Sequence, residues 1–332
     1  MNSPFASSLS RRSLLLGSSA LVLGTASACS DPVEAATTAT GASGDKITYD
    51  NSPEQAGRVK GTFNETIAAT LPKAIRDRGV LRVGSSAVTG APPINFLATD
   101  NKTAVGSDVD ISHLVADILG LKVETHVSSW ENLFVGLDAG TVDIAASNVG
   151  VSEARKEKYD FATYRLGLHA FEAAPDSTLK VKQPQDIAGK KVGVASGTLQ
   201  EAVLLRWNEI IQAKGGKPAS LVYYSSAQDA YLAIKSGRID LHLGPDPSAL
   251  YHVATGGGTK IVGHVSSSYP VQGKVGVITR KGNGLVQPIA AALNAAIADG
   301  SYARVLQRWG LKVEAVTKSE VNPAGLPKAK TK

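Results

Sequence analysis

Three short stretches of the 332-residue chain carry residue types suited to gripping a small charged molecule. In Ser147-Asn148-Val149-Gly150-Val151-Ser152-Glu153-Ala154-Arg155, Ser152 is a good N-cap and Arg155 falls in the first turn of the helix expected there. Gly150 and Val151 can turn backbone N–H groups outward. Outward amides, the positive end of a helix dipole and a guanidinium fork together suit a carboxylate. A capped helix with a surface arginine has the same sequence, so context must decide. In Ser196-Gly197-Thr198-Leu199-Gln200-Glu201, Thr198 and Glu201 fit a capping box, and Ser196 and Gly197 let amides approach a ligand. In Gly244-Pro245-Asp246-Pro247, Asp246 suits a ligand ammonium. It equally suits an N-cap, with Pro247 at the first helical position.

Each stretch follows a strand in the hydrophobic pattern. Residues 80–84 and 121–127 read as strands, 108–119 as a helix with Ile111, Leu114, Val115 and Ile118 on one face, and 67–75 as partly helical with Pro72 near an end. Strands alternating with helices predict an α/β fold with mostly parallel sheets flanked by helices. Residues 133–145 and 230–243 repeat one another: an amphipathic helix, a glycine stop, then Gly140-Thr141-Val142-Asp143 in one and Gly237-Arg238-Ile239-Asp240 in the other. That duplication predicts two similar lobes. Ligands bind outside the carboxyl ends of strands in such sheets, so the lobes should face each other across a small-molecule cleft.

Composition removes other classes. With 43% hydrophobic and 19% charged residues the chain is not disordered as a whole, and no run approaches the roughly 20 apolar residues of a membrane span. One cysteine excludes an internal disulfide framework and a multi-thiolate metal site. The net charge of +6 is spread out, without basic clusters interleaved with aromatics, so nucleic acid is not an expected partner. No HExxH, GxxxxGK[ST] or G-x-S-x-G occurs, and no cofactor or metal is expected. Ser10-Arg11-Arg12-Ser13-Leu14-Leu15-Leu16 opens an export signal over 1–28 that resembles the twin-arginine type. Ala26-Ser27-Ala28-Cys29 resembles a lipobox, which would lipidate Cys29; simple cleavage after Ala28 is the alternative. Residues 29–63, rich in Ala, Thr, Gly, Ser and Pro, read as a flexible tether, and 317–332 as a polar tail.

Residues of about 66–316 resemble the extracellular solute-binding proteins of ABC transporters, in the polar-amino-acid class. The resemblance is carried by Gly79-Val80-Leu81-Arg82-Val83-Gly84, Gly106-Ser107-Asp108-Val109-Asp110, Trp130-Glu131-Asn132-Leu133 through Asp143, Ser152-Glu153-Ala154-Arg155 to Tyr164, Asp186-Ile187-Ala188-Gly189-Lys190-Lys191, Ser196-Gly197-Thr198, and Gly300-Ser301-Tyr302 to Trp309-Gly310. It implies a periplasmic binding protein-like fold with two crossovers, near 164–172 and 273–280. One lobe would comprise 64–168 and 273–316, the other 169–272. It also implies that Arg155 holds a ligand α-carboxylate, helped by neighbouring amides and by Gly197-Thr198, and that Phe96 or Trp130 packs on the ligand. Loops and resemblance together give the expected ligand set: Arg155, Gly150, Asn148, Phe96, Trp130, Ser196, Gly197, Thr198 and Asp246. Three positions depart from the family pattern. Gly150 stands where Ser or Thr is usual, Leu199 where a second Thr is frequent, and Pro245 where the amine-binding Asp is expected. Ser85-Ser86 stands where binders of basic amino acids often carry an acid. The implied role is the substrate-binding component of an importer, a monomer tethered by its lipid, not an enzyme, capturing an amino acid or related carboxylate for permease subunits. The alternative is an exported enzyme on the same scaffold, similar to cyclohexadienyl dehydratase.

Overall fold

A single long strand, Tyr159–Ala173, is shared by both lobes. The structure, a computed structural model, describes residues 36–40 and 46–328, so the segment expected as an export signal and Cys29 lie outside the described residues. Nine strands form one sheet in the order Ser220–Tyr223, Lys191–Val194, Leu241–Pro245, Tyr159–Ala173, Gly273–Arg280, Ile144–Ala145, Val80–Ser85 and Lys122–Val127, with Lys260–Ser266 also paired to Tyr159–Ala173. The three outer strands on each flank pair in parallel, and all pairings at the centre are antiparallel.

The shared strand changes partners midway. Tyr159 to Gly167 lie opposite Arg280 to Gly273; from Leu168 onward the partners are Ser266 to Lys260 and, from His169, Pro245 to His242. The second passage between lobes runs from Ser266 to Gly273 and touches the first, with Ser267 N donating to Gly167 O at 3.0 Å. A Cβ on Gly167 would lie 2.2 Å from Ser267 Oγ, which is why glycine stands there.

The duplicated sequence makes duplicated structure. Helix Trp130–Ala139 is capped by Ser129, stopped by Gly140 at φ 70, and leads to Ile144–Ala145; helix Ala227–Lys235 is capped by Ser226, followed by Gly237 at φ 69, and leads to Leu241–Pro245. The conserved grammar includes one hydrogen bond. Asp143 Oδ2 accepts Arg82 N at 2.8 Å, and Asp240 Oδ2 accepts Lys191 N at 2.8 Å. In each lobe the aspartate ties the strand start to its parallel neighbour. Pro72 splits the helical segment expected at 67–75 into Glu65–Ala68 and Lys73–Arg78. Separate cores fill the lobes, one around Leu81, Ile111, Leu114 and Trp309, the other around Phe171, stacked on Trp207 with centroids 5.5 Å apart.

Both polar ends differ from expectation. The tether expected over 29–63 is anchored from residue 46. Strand Lys46–Asp50 is followed by buried Asn51 and Gln55; Gln55 Oε1 accepts from Arg308 at 2.9 Å, and Arg58 pairs with buried Asp110 at 2.8 Å. The tail expected over 317–332 is docked as far as it is described. Thr163 N donates to Glu320 O, Asn322 Oδ1 accepts Phe161 N at 2.8 Å, and Leu326 exchanges backbone bonds with Val151 and Glu153. The tail covers the edge that Tyr159–Ala173 would otherwise leave open in the first lobe. Isolated apolar residues, Ile47, Tyr49 and Leu326, are buried alongside these hydrogen bonds, and too few of them recur at regular spacing to show as periodicity. Leu326 is 5% exposed and belongs to the second lobe's core, although its backbone pairs with the first. Leu326→Ala should therefore lower the urea midpoint at unchanged slope, by roughly 2–5 kcal/mol of stability. An unshifted midpoint would mean the tail is not part of the cooperative fold.

Candidate functional site

Arg155 opens a single 3₁₀ turn, Arg155–Glu157, rather than the helix expected after Ser152. The long strand begins at Tyr159 and leaves no room for more. The cap itself forms, with Ser152 Oγ accepting Arg155 N at 3.2 Å. The guanidinium then reaches across the cleft. Nη1 donates to Gly150 O at 2.9 Å in the first lobe and Nη2 to Gly197 O at 3.0 Å in the second. Its centre lies 5.3 Å from the Trp130 ring and 5.5 Å from Phe134, within cation–π range. Among the described residues no carboxylate pairs with it. Burial pulls its pKa down to about 10. A half-buried cation with only carbonyls and ring faces around it favours an anion.

Between the lobes lies a cavity of about 140 Å³, lined from the first lobe by Ser86, Thr89, Asn95, Trp130, Ser147 and Asn148, and from the second by Thr198, Gln200, Tyr224, Tyr231, His242 and others. Arg155 and Gly150 line a smaller adjoining cavity of about 20 Å³ that shares Trp130, Asn148 and Gln200 with the larger. Asn148 has φ 54 and is held from beneath: its N–H donates to Asp108, and its Oδ1 accepts from Arg165, which pairs with Glu314. Asp108 is wholly buried and supports the floor without lining the cavity. Ser147 Oγ accepts Ser86 N at 2.9 Å and Asn95 Nδ2 at 2.6 Å, which makes the first-lobe wall a fixed polar pad. Among the described residues no cluster of His, Cys, Asp or Glu is placed to hold a metal ion.

The expected ligand set is thus partly assembled. Trp130, Asn148 and Thr198 meet at the larger cavity, Arg155 and Gly150 beside it, and Gly197 contributes its carbonyl with φ 70. Thr198 Oγ1 accepts Glu201 N at 3.2 Å, while Glu201 reaches Gly197 N rather than closing a capping box on Thr198. Ser196 is exposed and lines neither cavity. Phe96 is not at the cleft. Strand alternation turns its neighbour Asn95 to the cavity and Phe96 into the core, edge-on to Trp309 at 6.1 Å. Asp246 also faces elsewhere. It begins helix Asp246–Ala254, is bound by His264 Nδ1 at 2.7 Å, and lines a different cavity with Tyr251 and Glu314. With Pro245 on the cavity wall, the next side chain turns to the opposite side. Ser86, Ser147, Tyr224 and His242 are absent from the expected ligand set; the first three follow strand ends, where the carboxyl-end rule places them.

The model of the bacterial extracellular solute-binding proteins, family 3, matches residues 81–312. The chain belongs to this family. Among relatives of this solute-binding protein, the arginine-binding protein ArgT of Corynebacterium glutamicum is 26% identical over 77% of this chain and 82% of its own. The L-cystine-binding protein TcyJ of Escherichia coli K12 is 29% identical over 72% and 85%. Of solved structures, an ancestral arginine-binding protein bound to arginine superposes with a TM-score of 0.60 at 29% identity, covering 70% of this chain and 98% of that one. An ancestral amino-acid-binding protein described as a precursor of cyclohexadienyl dehydratase gives 0.60 at 25%, covering 71% and 97%.

Two departures of this solute-binding protein from its family pattern meet each other. A Cβ on Gly150 would lie 2.4 Å from Leu199 Cδ1, so the second lobe's leucine fills the place where a first-lobe hydroxyl side chain would stand. Gly150→Thr must displace Leu199, at roughly 1–3 kcal/mol for overpacking. In a urea double-mutant cycle with Leu199→Thr, the pair should cost less than the sum of the singles; simple additivity would show that the two side chains do not meet. His169, buried in the small cavity, is held neutral, its pKa brought down to about 3 by desolvation. The unfolded chain takes up this proton near pH 6.5, so the stability His169 brings is present above that pH and lost as pH falls toward 3. The stability gap between wild type and His169→Gln should narrow by roughly 2 kcal/mol between pH 6.5 and 5. A constant gap would contradict a neutral buried imidazole.

Proposed function

We propose that this protein is the ligand-capturing component of an ABC importer, closing two lobes on an amino acid or amino-acid-like carboxylate and presenting it to permease subunits. The observation that carries this reading is Arg155, a cation between the lobes that touches a carbonyl of each and has no carboxylate of its own among the described residues. A ligand carboxylate can take its free donors on the side of Trp130 and Asn148, where the two cavities adjoin. Closure removes water from that contact and strengthens it, and a micromolar site needs only about 8 kcal/mol in total. Phe96 and Asp246 drop out of the ligand set, while Thr198 and Asn148 stay in it.

The moving bodies are residues 64–168 with 273–316, and 169–272, turning at Gly167-Leu168 and at the segment from Ser266 to Gly273. Outside the cell the protein acts as a monomer held by lipidated Cys29, or freed by cleavage after Ala28. Among the described residues no helix is long and apolar enough to cross a membrane. We read the cavity as binding rather than catalytic: its one lining carboxylate, Glu131, is exposed, and its one imidazole, His242, is taken as a ligand contact. A dehydratase would need an acid or base aimed at a reacting carbon.

A thermal-shift screen of the common amino acids, followed by calorimetry on the best, tests the reading. Arg155→Ala should weaken binding roughly 30-fold or more with the melting curve cooperative. Unchanged affinity removes Arg155 from the site, and release of product from a cyclohexadienyl carboxylate would make the protein an enzyme.

A further inference from the structure

The inner end of the larger cavity is lined by Tyr231 and His242 of the second lobe. His242 stands on strand Leu241–Pro245 directly opposite Glu172 in the antiparallel register, its Nδ1 3.7 Å from Glu172 Oε1. Glu172 is wholly buried; its Oε2 accepts from Thr259 at 2.6 Å and lies 2.9 Å from His252 Nδ1. Burial would raise the Glu172 pKa, but the nearby His242 together with the close contacts of His252 and Thr259 outweighs it and brings the value down to about 2. Tyr231 stacks on His252 at 3.5 Å and meets His242 edge-on at 5.5 Å. The imidazole of His242 therefore has a carboxylate behind it, close enough for electrostatic attraction but beyond hydrogen-bond distance, and an aromatic ring beside it. A carboxylate on the Nδ1 side favours the proton on that nitrogen and leaves Nε2 toward whatever enters. Nε2 of His242 has no hydrogen-bond partner among the described residues. Two buried ionisable side chains facing each other in a lobe core cost stability, and packing alone would be better served by apolar residues.

The cavity's charge pattern narrows what this end receives. No Lys or Arg lines it, and Glu131 is exposed at the start of helix Trp130–Ala139. Pro245 occupies the wall position where the family places an aspartate. Glu172 lies behind His242 and does not line the cavity, so a guanidinium or ammonium on the ligand side chain would meet no buried carboxylate directly, and a second carboxylate would meet no Lys or Arg. A neutral group that both donates and accepts would meet His242 Nε2, with the serines Ser226 and Ser248 also on the wall.

We propose that His242 is the specificity-determining residue of the cleft, and that the ligand is an amino acid with a neutral, amide-type side chain rather than a basic or dicarboxylic one. Glu172 acts through His242 as a positioning residue. The inference rests on the cleft being an amino-acid site with Arg155 as its carboxylate anchor.

The test is calorimetry of the full folded chain against L-glutamine, L-methionine, L-arginine and L-glutamate. Wild type should prefer glutamine at least about 10-fold over each of the others, as a site built to hydrogen-bond a side chain discriminates. His242→Leu should bring glutamine to the level of methionine, and Glu172→Gln, which removes no ligand contact, should shrink the glutamine-to-methionine ratio. Arg155→Ala should weaken every ligand alike. Arginine, glutamate or methionine binding as tightly as glutamine overturns the proposal, as does a ratio unmoved in both His242→Leu and Glu172→Gln. No binding of any of the four to wild type, or undiminished binding to Arg155→Ala, overturns the underlying amino-acid reading instead. The ratio of affinities, unlike either affinity alone, does not move when a variant is merely less stable.

Discussion

A guanidinium held between two lobes by carbonyl oxygens alone is the constraint around which this molecule is organised. Carbonyls satisfy donors but do not cancel charge, and the ring faces of Trp130 and Phe134 offset it only in part. The position is tolerable because the loop carrying Arg155 is fixed from several directions. Ser152 caps the turn, Val151 N donates to Lys274 O, and the C-terminal segment pairs through Leu326 with Val151 and Glu153. The tail thereby reaches the site without lining either cavity: it holds the arginine's loop on one lobe while its leucine is packed in the other.

The same economy appears in the scaffold. Each lobe uses Gly-x-(Val/Ile)-Asp to end a helix, start a strand and fasten that strand to its parallel neighbour through one aspartate. The lobes are joined where one strand exchanges one set of partners for another, at Gly167-Leu168, beside Ser267. Motion about such a joint needs no hydrogen bonds broken within either flank, because each flank is closed on its own parallel ladder.

Much of this was legible in the sequence, for identifiable reasons. The helix of Ile111, Leu114 and Val115, the duplicated glycine stops and the strand ends are fixed by periodicity and by backbone conformations that glycine permits, and these are local. Arg155 beside its cap reads the same as an ordinary capped helix with a surface arginine, and only the family resemblance singled it out as a ligand group. What the sequence concealed was direction. Phe96 and Asn95 are neighbours whose faces are exchanged by strand alternation, and a short strand gives too few residues to read the phase. Asp246 follows a proline that takes the wall position, so an acid one residue late turns to His264. The anchored ends were hidden because side-chain hydrogen bonds such as those of Gln55 and Asn322 leave no periodic trace. His242 was hidden because its partner, Glu172, is 70 residues away and adjacent only through strand register.

The departures from the family pattern form two compensated pairs. Where the resemblance implies hydroxyls near Arg155, this chain has a glycine and a leucine that interlock across the cleft. Where it implies an aspartate on the second lobe, this chain has a proline, with an imidazole backed by a buried carboxylate further in. The first exchange changes the energetics of closing. A threonine pair would meet the ligand, so its contribution would appear only with ligand present. Leu199 against Gly150 is protein on protein and favours the closed form whether or not the cleft is filled. Full burial of a leucine is worth roughly 1.5–3 kcal/mol. Leu199 is also packed in its own lobe, so only a fraction of that belongs to closure. Even a fraction matters for a two-state hinge, since a ligand need supply only the remaining difference between open and closed. On the proposed reading, the unpaired charge of Arg155 opposes the empty closed form, and its neutralisation by a ligand carboxylate would be the term that separates filled from empty.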